Sequence, residues 1–338
     1  MKMKMSIFSR KPRSLRSESR TPSLSGKVVF VTGGNASLGK QSIIEFAKHE
    51  PAEIWLAARD INRAHQTVLE LYRQFPNTEI KVLEMDLASL DSVREAAEIF
   101  LSSASRLDVL LLNARAGNSR NKTPPMTRDG YEGSFGVNHM GHALLTKLLM
   151  PMLLHTVRHN RSIGCVSDVH VVVVSSALMS HAPRRGIQFD KLKSPAPRHS
   201  RFTLRTYAQS KLANALFARR LAREYPQLTV AAVHPGIVRT HIAGVVARHV
   251  SDSNSFLVRL GGRPLSRACM GSVQDGIQNQ LWAATSQDVI SGEYYRHVGV
   301  KARMTKLARD DMLAEKLWQW TEVELENYIT LNTRYSDY

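Results

Sequence analysis

A doubly wound α/β fold, with one parallel sheet of about seven strands and helices on both faces, is predicted by three features of this 338-residue chain. Short runs of Val, Leu and Ile without polar alternation recur along it, as strands buried on both faces require. Between them lie stretches with helical spacing, long enough to serve as crossovers between parallel strands. The first apolar run ends in a glycine-bearing turn that opens a helix, the arrangement that presents free N–H groups to an anion.

The elements follow in order. KVVFVTGG, from Lys27, predicts the first strand, and Gly39 to His49 the first helix. EIWLAAR and Ile61 to Phe75 form the second pair, EIKVLEMDL and Ser89 to Ser103 the third, and LDVLLLNA is the fourth strand. After a helical stretch around Gly141 to Leu154 come HVVVVSS, a helix in TYAQSKLANALFARRLAREY, TVAAVHPG and GEYYRHVG. One domain from about Leu24 to Tyr338 is expected, without internal repeats, preceded by an arm of residues 1–23. Residues 179–205, basic and Pro-containing, and 241–268 follow strand ends, where open α/β sheets bind ligands. KLARDDMLAEKLWQWTEVELENY reads as an amphipathic helix that packs on the core or on a partner.

A hydrophobic content of 43% excludes a wholly disordered chain. Cys165 and Cys269 stand in no metal-ligand spacing, so neither a disulfide framework nor a metal site is expected, and a reducing, cytoplasmic setting is. The net charge of +17 is compatible with nucleic acid, an anionic membrane or phosphorylated ligands. Its clusters decide between them. Residues 1–20 hold seven basic residues against Glu18 alone, and a second group runs through Arg184, Arg185, Lys191, Lys193, Arg198, Arg201 and Arg205. Neither is interleaved with the aromatics that stacking on bases needs, so nucleic acid is not the expected partner. The N-terminal composition fits a solvated arm, with an organellar transit peptide as the alternative. No stretch approaches the ~20 apolar residues of a transmembrane helix.

Within VTGGNASLGK, Gly33 and Gly39 frame a turn where a phosphate would meet the backbone of Ser37, Leu38 and Gly39, which predicts a dinucleotide site. The second strand ends in LAARD. Ala58 and Arg59 put no carboxylate where an adenosine ribose diol would bind, and Arg59 suits a 2′-phosphate, so NADP(H) is favoured over NAD(H).

Several ordered motifs then resemble the short-chain dehydrogenase/reductase family over nearly the whole chain from Leu24, in its retinol-dehydrogenase-like, fungal-type branch. They are the glycine turn at Thr32, Asp86-Leu87, Asn113-Ala114, Asn138, Ser176, Tyr207-x-x-x-Lys211 and Pro235-Gly236 with Thr240. The resemblance implies a Rossmann-like fold and an oxidoreductase acting between a carbonyl and an alcohol. Tyr207 would be the acid/base, Ser176 would hydrogen-bond the substrate oxygen with Ser175 as its helper, and Asn138 would hold a water that links Lys211 to solvent. A free tyrosine, with a pKa of about 10, is a weak acid/base near neutrality, and a cation one helical turn away favours its phenolate. Lys211 would be that cation and would also hold the nicotinamide ribose. The resemblance further implies that Asp86 meets the adenine, that Asn113 lines the cleft, and that Val238 and Thr240 touch the carboxamide. A homo-oligomer, paired through the Tyr207 helix and the helix around residue 145, is expected by the same analogy.

Two residues depart from the family pattern. Ser37 stands where glycine is usual in the phosphate turn, and Arg115 replaces the glycine of Asn-Ala-Gly. Arg115 would cost roughly 1–2 kcal/mol if its backbone needed positive φ. It could also swing outward or reach a cofactor phosphate. The leading expectation is an oxidoreductase of an apolar or polyketide-like small molecule, in secondary metabolism. A reductase of carbon-carbon double bonds is a same-fold alternative, and a catalytically weak nucleotide-binding or scaffold protein is another. His139 and His142 share a helical spacing, but no third ligand is evident, and core or surface histidines are expected there.

Overall fold

The structure is a computed structural model that describes residues 21–116, 126–164, 168–195, 200–236 and 273–330. Eight strands form one sheet in the order β3-β2-β1-β4-β5-β6-β7-β8. β1 is Val28–Thr32, β2 Glu53–Ala58, β3 Glu79–Glu84, β4 Val109–Leu112, β5 His170–Val174, β6 Thr229–Val233, β7 Tyr294–His297 and β8 Val300–Lys301. The first seven are the strands expected from the sequence, all pairing in parallel. The eighth corrects the count. It is a two-residue strand that folds back antiparallel on β7, too short to show a pattern of its own.

Chain order reverses between β1 and β4, so the C-terminal ends of these two strands flank a crevice. Alternate side chains leave each strand to opposite faces, and each face has its own helices. On one side Val29, Val31, Ile54, Leu56, Leu111 and Val172 meet α1 (Ser37–Ala47), α2 (Ile61–Tyr72) and α7 (Val273–Thr285) through residues such as Phe46, Leu71 and Ile277. On the other, Phe30, Leu110, Val171 and Val230 meet α3 (Leu90–Ser103), α5 (Gly141–Ser162) and α6 (Ser200–Glu224). A short α4 (Gly133–Phe135) and a π-helical turn, Gly136–Met140, lead into α5.

The predicted C-terminal helix is α8, Asp311–Thr330. It packs on the core through Ala314, Leu317, Trp318 and Leu325. Trp318 stacks on Phe217 of α6, Glu315 pairs with Arg220 at 2.6 Å, and Glu322 pairs with Lys147 of α5. α8 therefore occupies part of the outer side of α5 and α6, the helices through which the family analogy would pair two copies. Among the described residues no helix is long and apolar enough to cross a membrane.

Candidate active site

The parallel sheet brings the functional residues to one edge. Thr32 ends β1, Asn113 follows β4, Ser175 and Ser176 follow β5, and His234 follows β6. The seam between β1 and β4 is closed by hydrogen bonds. Thr32 Oγ1 accepts from the N–H of Asn113 at 2.9 Å and of Ala114 at 2.8 Å, and Asn113 Nδ2 donates to the Thr32 carbonyl at 2.9 Å. Gln280, on α7, donates to Asn113 Oδ1 at 3.2 Å. His142 Nε2 lies 2.9 Å from Thr32 Oγ1, and its Nδ1 lies 3.0 Å from the Asn138 carbonyl oxygen. Burial lowers the pKa of His142 to about 3, so the ring is neutral. Since Thr32 Oγ1 already takes two N–H bonds, its own proton goes to Nε2, and Nδ1–H donates to the Asn138 carbonyl. His139, likewise buried and held near pKa 3, bonds Thr321 of α8.

The turn after β1 fits a dinucleotide phosphate. Gly33 has φ +67°, and a Cβ there would come within 3.0 Å of Ala114. At Gly39 a Cβ would lie 2.2 Å from the Gly33 carbonyl oxygen and 2.7 Å from Asn113 Nδ2, so glycine is required. α1 also differs from its neighbours at its N-terminus. Asp60 caps α2 and Ser89 caps α3, but no side chain caps α1 and no acidic residue lies in its first turn. Its N–H groups are left for an anion. Leu38 is buried under the turn, and Asp86, at the end of β3, accepts from the Ala88 N–H at 3.1 Å.

The two departures resolve differently. Among the described residues, Ser37 (φ 47°) and Glu50 (φ 54°) are the non-glycine residues with positive φ, so Ser37 carries strain where the family has glycine. Relief of roughly 1–2 kcal/mol in Ser37→Gly is partly offset by about 0.5–1 kcal/mol of added unfolded-chain entropy. The expected result is a gain of roughly 0.5–1 kcal/mol, read as a melting temperature about 1–3 °C higher by scanning calorimetry. Arg115 is not in the left-handed region, so the cost considered for it does not arise.

Tyr207 and Lys211 lie on α6, at 6% and 1% exposure. The Lys211 ammonium donates to the Val174 carbonyl at 2.8 Å and sits 5.9 Å from the centre of the Tyr207 ring. Burial, followed by the charge of Arg115, pushes the pKa of Lys211 down to about 7. Tyr207 is raised above its ordinary value by burial, against a lowering by the charge of Arg115 and by a hydrogen bond from it. Lys211 is thus desolvated, with its ammonium turned to the Val174 carbonyl.

Ser175 Oγ donates to the Lys211 carbonyl at 2.6 Å and so fastens β5 to α6. Ser176 Oγ accepts from the Leu178 N–H at 3.2 Å, which leaves its proton for another acceptor. Asn138 lies in the π-helical turn, a distortion frequent at functional sites. Its Oδ1 accepts from the Ala116 N–H at 2.7 Å and its Nδ2 donates to Ser210 Oγ at 2.9 Å, tying the 113–116 turn to α6. Arg59 is exposed at the end of β2. Val238 and Thr240, the 241–268 insertion and both cysteines lie outside the described residues. Thr32, His142 and Gln280 were not singled out as site residues from the sequence. Gln280 had no signal there, since it stands 167 positions from the amide that it holds.

The crevice between β1 and β4 and the glycine turn beside it are those of a doubly wound α/β protein of the dinucleotide-binding class. A family model described as short chain dehydrogenase matches residues 27–181. Human retinol dehydrogenase 14 is 35% identical over 316 residues, covering 88% of this chain and 86% of that protein. A short-chain dehydrogenase/reductase of Armillaria gallica is 32% identical over 321 residues, covering 94% and 96%. The chain belongs to the short-chain dehydrogenase/reductase family and is of its retinol-dehydrogenase-like type, whose members act on CH–OH groups. Among solved structures, a short-chain dehydrogenase from Shigella flexneri complexed with NADP superposes with a TM-score of 0.58 at 19% identity, covering 82% of this chain and 99% of that one. L-sorbose reductase from Gluconobacter frateurii, complexed with NADPH and L-sorbose, gives 0.57 at 19% identity, covering 84% and 99%. At that identity the likeness bears on the fold.

Proposed function

We propose that this protein is an NADP(H)-dependent oxidoreductase that interconverts a ketone or aldehyde with the corresponding alcohol on an apolar or polyketide-like small molecule, in secondary metabolism. The observation that supports the reading is that α6, which carries Tyr207 and Lys211, is fastened to the end of β5 just before Ser176, through Lys211 Nζ to the Val174 carbonyl at 2.8 Å and Ser175 Oγ to the Lys211 carbonyl at 2.6 Å. When bound, the nicotinamide supplies or accepts the hydride. The chain's own residues handle the proton and the charge. Tyr207, kept protonated by burial, is the acid for the substrate oxygen in the reductive direction. Ser176 donates its remaining proton to the same oxygen and steadies the charge that develops there. Lys211, poised near neutrality, returns a proton to Tyr207, and Asn138 keeps the turn that faces it in register.

The preference for NADP(H) rests on charge. Asp60 is the carboxylate nearest to the end of β2 in sequence, but it is engaged in capping α2 through the Arg63 N–H at 3.0 Å, while Arg59 stands exposed beside it. Arg59→Ala is expected to weaken NADPH binding about tenfold or more, the worth of a charged hydrogen bond, and to leave NADH binding unchanged. Paired fluorescence titrations check this, and an equal loss for both nucleotides would refute it. The apolar substrate class draws support from relatives named retinol dehydrogenase and from fungal relatives. It is tested by comparing apolar ketones and aldehydes with sugars as substrates. The remaining parts of the reading are an arm of residues 1–23 on a catalytic domain of residues 24–338, a cytoplasmic setting, and self-association.

A further inference from the structure

His142 joins two parts of the site that share no strand ladder. β1 ends at Thr32, directly before Gly33 of the phosphate turn, and the π-helical turn Gly136–Met140 carries Asn138. The ring bridges them through both nitrogens: Thr32 Oγ1 lies 2.9 Å from Nε2, and the Asn138 carbonyl oxygen lies 3.0 Å from Nδ1. One tautomer satisfies both contacts. A carbonyl can only accept, so Nδ1 carries the proton, and the hydroxyl, whose oxygen takes the N–H groups of Asn113 and Ala114, gives its own proton to Nε2. Asn138 extends the bridge. Its amide donates to Ser210 Oγ at 2.9 Å, and Ser210 Oγ donates to the Tyr207 carbonyl at 2.8 Å. We propose that His142 is a positioning residue of this chain: its ring, protonated at Nδ1 alone, holds the end of β1 and the phosphate turn in register with the Asn138 turn, and through it with Tyr207 on α6.

The residue suits this part in three ways. An imidazole presents a donor and an acceptor from one rigid ring, so a single side chain fixes both neighbours. The ring is also held in place from behind. Gly141 is pressed onto the chain after β3, where a Cβ would lie 2.8 Å from the Leu87 carbonyl oxygen, and Thr146 Oγ1 donates to the His142 carbonyl at 2.7 Å. At 2% exposure, the bridge is shielded from water that would compete for it.

The inference rests on the reading of the Gly33–Gly39 turn as the nucleotide site, but part of it is measured on cofactor-free protein. In protein labelled with ¹⁵N-histidine, the His142 ring is identified by its absence in H142Q. It is expected to show a protonated Nδ1 and an unprotonated Nε2 at neutral pH, and a ring protonated at Nε2 or at both nitrogens overturns the proposal. Three variants then separate the two contacts. H142Q keeps an acceptor near the place of Nε2, H142N keeps a donor near the place of Nδ1, and H142L keeps neither. NADPH binding, followed by tryptophan fluorescence, should weaken about three- to tenfold in H142N and H142L, the worth of one hydrogen bond, and be retained in H142Q. With ¹³C at tyrosine Cζ, the Tyr207 resonance, identified by its absence in Y207F, should shift in H142Q and H142L and keep its wild-type place in H142N. Each of H142Q and H142N keeps one bond, so this pair carries the test if H142L does not fold. Wild-type NADPH affinity in H142N, an unmoved Tyr207 resonance in H142Q, or an equal loss in every variant would reduce the ring to core packing and overturn the proposal. If the wild type binds no NADPH while the tautomer and the Tyr207 shifts are as expected, the bridge stands and the oxidoreductase reading fails.

Discussion

Tyr207→Phe is expected to lower kcat about 10³-fold, within the range that a positioned general acid contributes, while NADPH affinity stays within about twofold of the wild type. The side chain is almost wholly buried on α6, so the phenyl ring keeps the packing and the substitution removes the hydroxyl alone. Single-turnover kinetics with saturating NADPH separates the chemical step from binding. A fall in affinity without a fall in the chemical step would mean that Tyr207 holds cofactor and does not move the proton.

The second large effect is expected at the phosphate turn. In Gly39→Ala the new methyl would lie 2.2 Å from the Gly33 carbonyl oxygen, a main-chain atom that cannot rotate aside, and 2.7 Å from the Asn113 amide. The turn or the start of α1 must move. Overpacking of this kind costs about 1–3 kcal/mol, and it displaces the uncapped N–H groups from the anion that they would bind. NADPH affinity should fall on the order of a hundredfold, or about 2.7 kcal/mol. A circular dichroism spectrum like that of the wild type would show that the sheet survives. Unchanged affinity in a folded Gly39→Ala protein would place the dinucleotide elsewhere.

The fold was legible because its strands are buried on both faces. HVVVV and VLLL state their position without help from partners, and the helices between them carry the spacing that covers a sheet. What escaped was either too short or too distant. β8 has two residues and depends on the bend of β7 to exist. Gln280 closes the site from 167 positions away, and nothing in its neighbourhood marks it as more than a polar residue on an amphipathic helix.

The charge state of the site was legible only in part. Helical spacing correctly brings Lys211 near Tyr207, but spacing carries no information on desolvation, and burial is the larger influence on both groups. Arg115 lies in the turn after β4, which Asn138 ties to α6, so its place near this helix is a product of sheet order. Read in one dimension it was a departure from a glycine pattern with several possible fates. Folded, its backbone is unstrained.

Whether the β1 turn holds a nicotinamide dinucleotide beside Tyr207 is decided by titrating purified protein with NADPH and NADH. Quenching of tryptophan fluorescence and energy transfer to the nicotinamide report the binding. The expected result is saturable NADPH binding at micromolar concentration, weaker NADH binding, and loss of the NADPH signal in Gly39→Ala. No saturable binding of either nucleotide at millimolar concentration would contradict it.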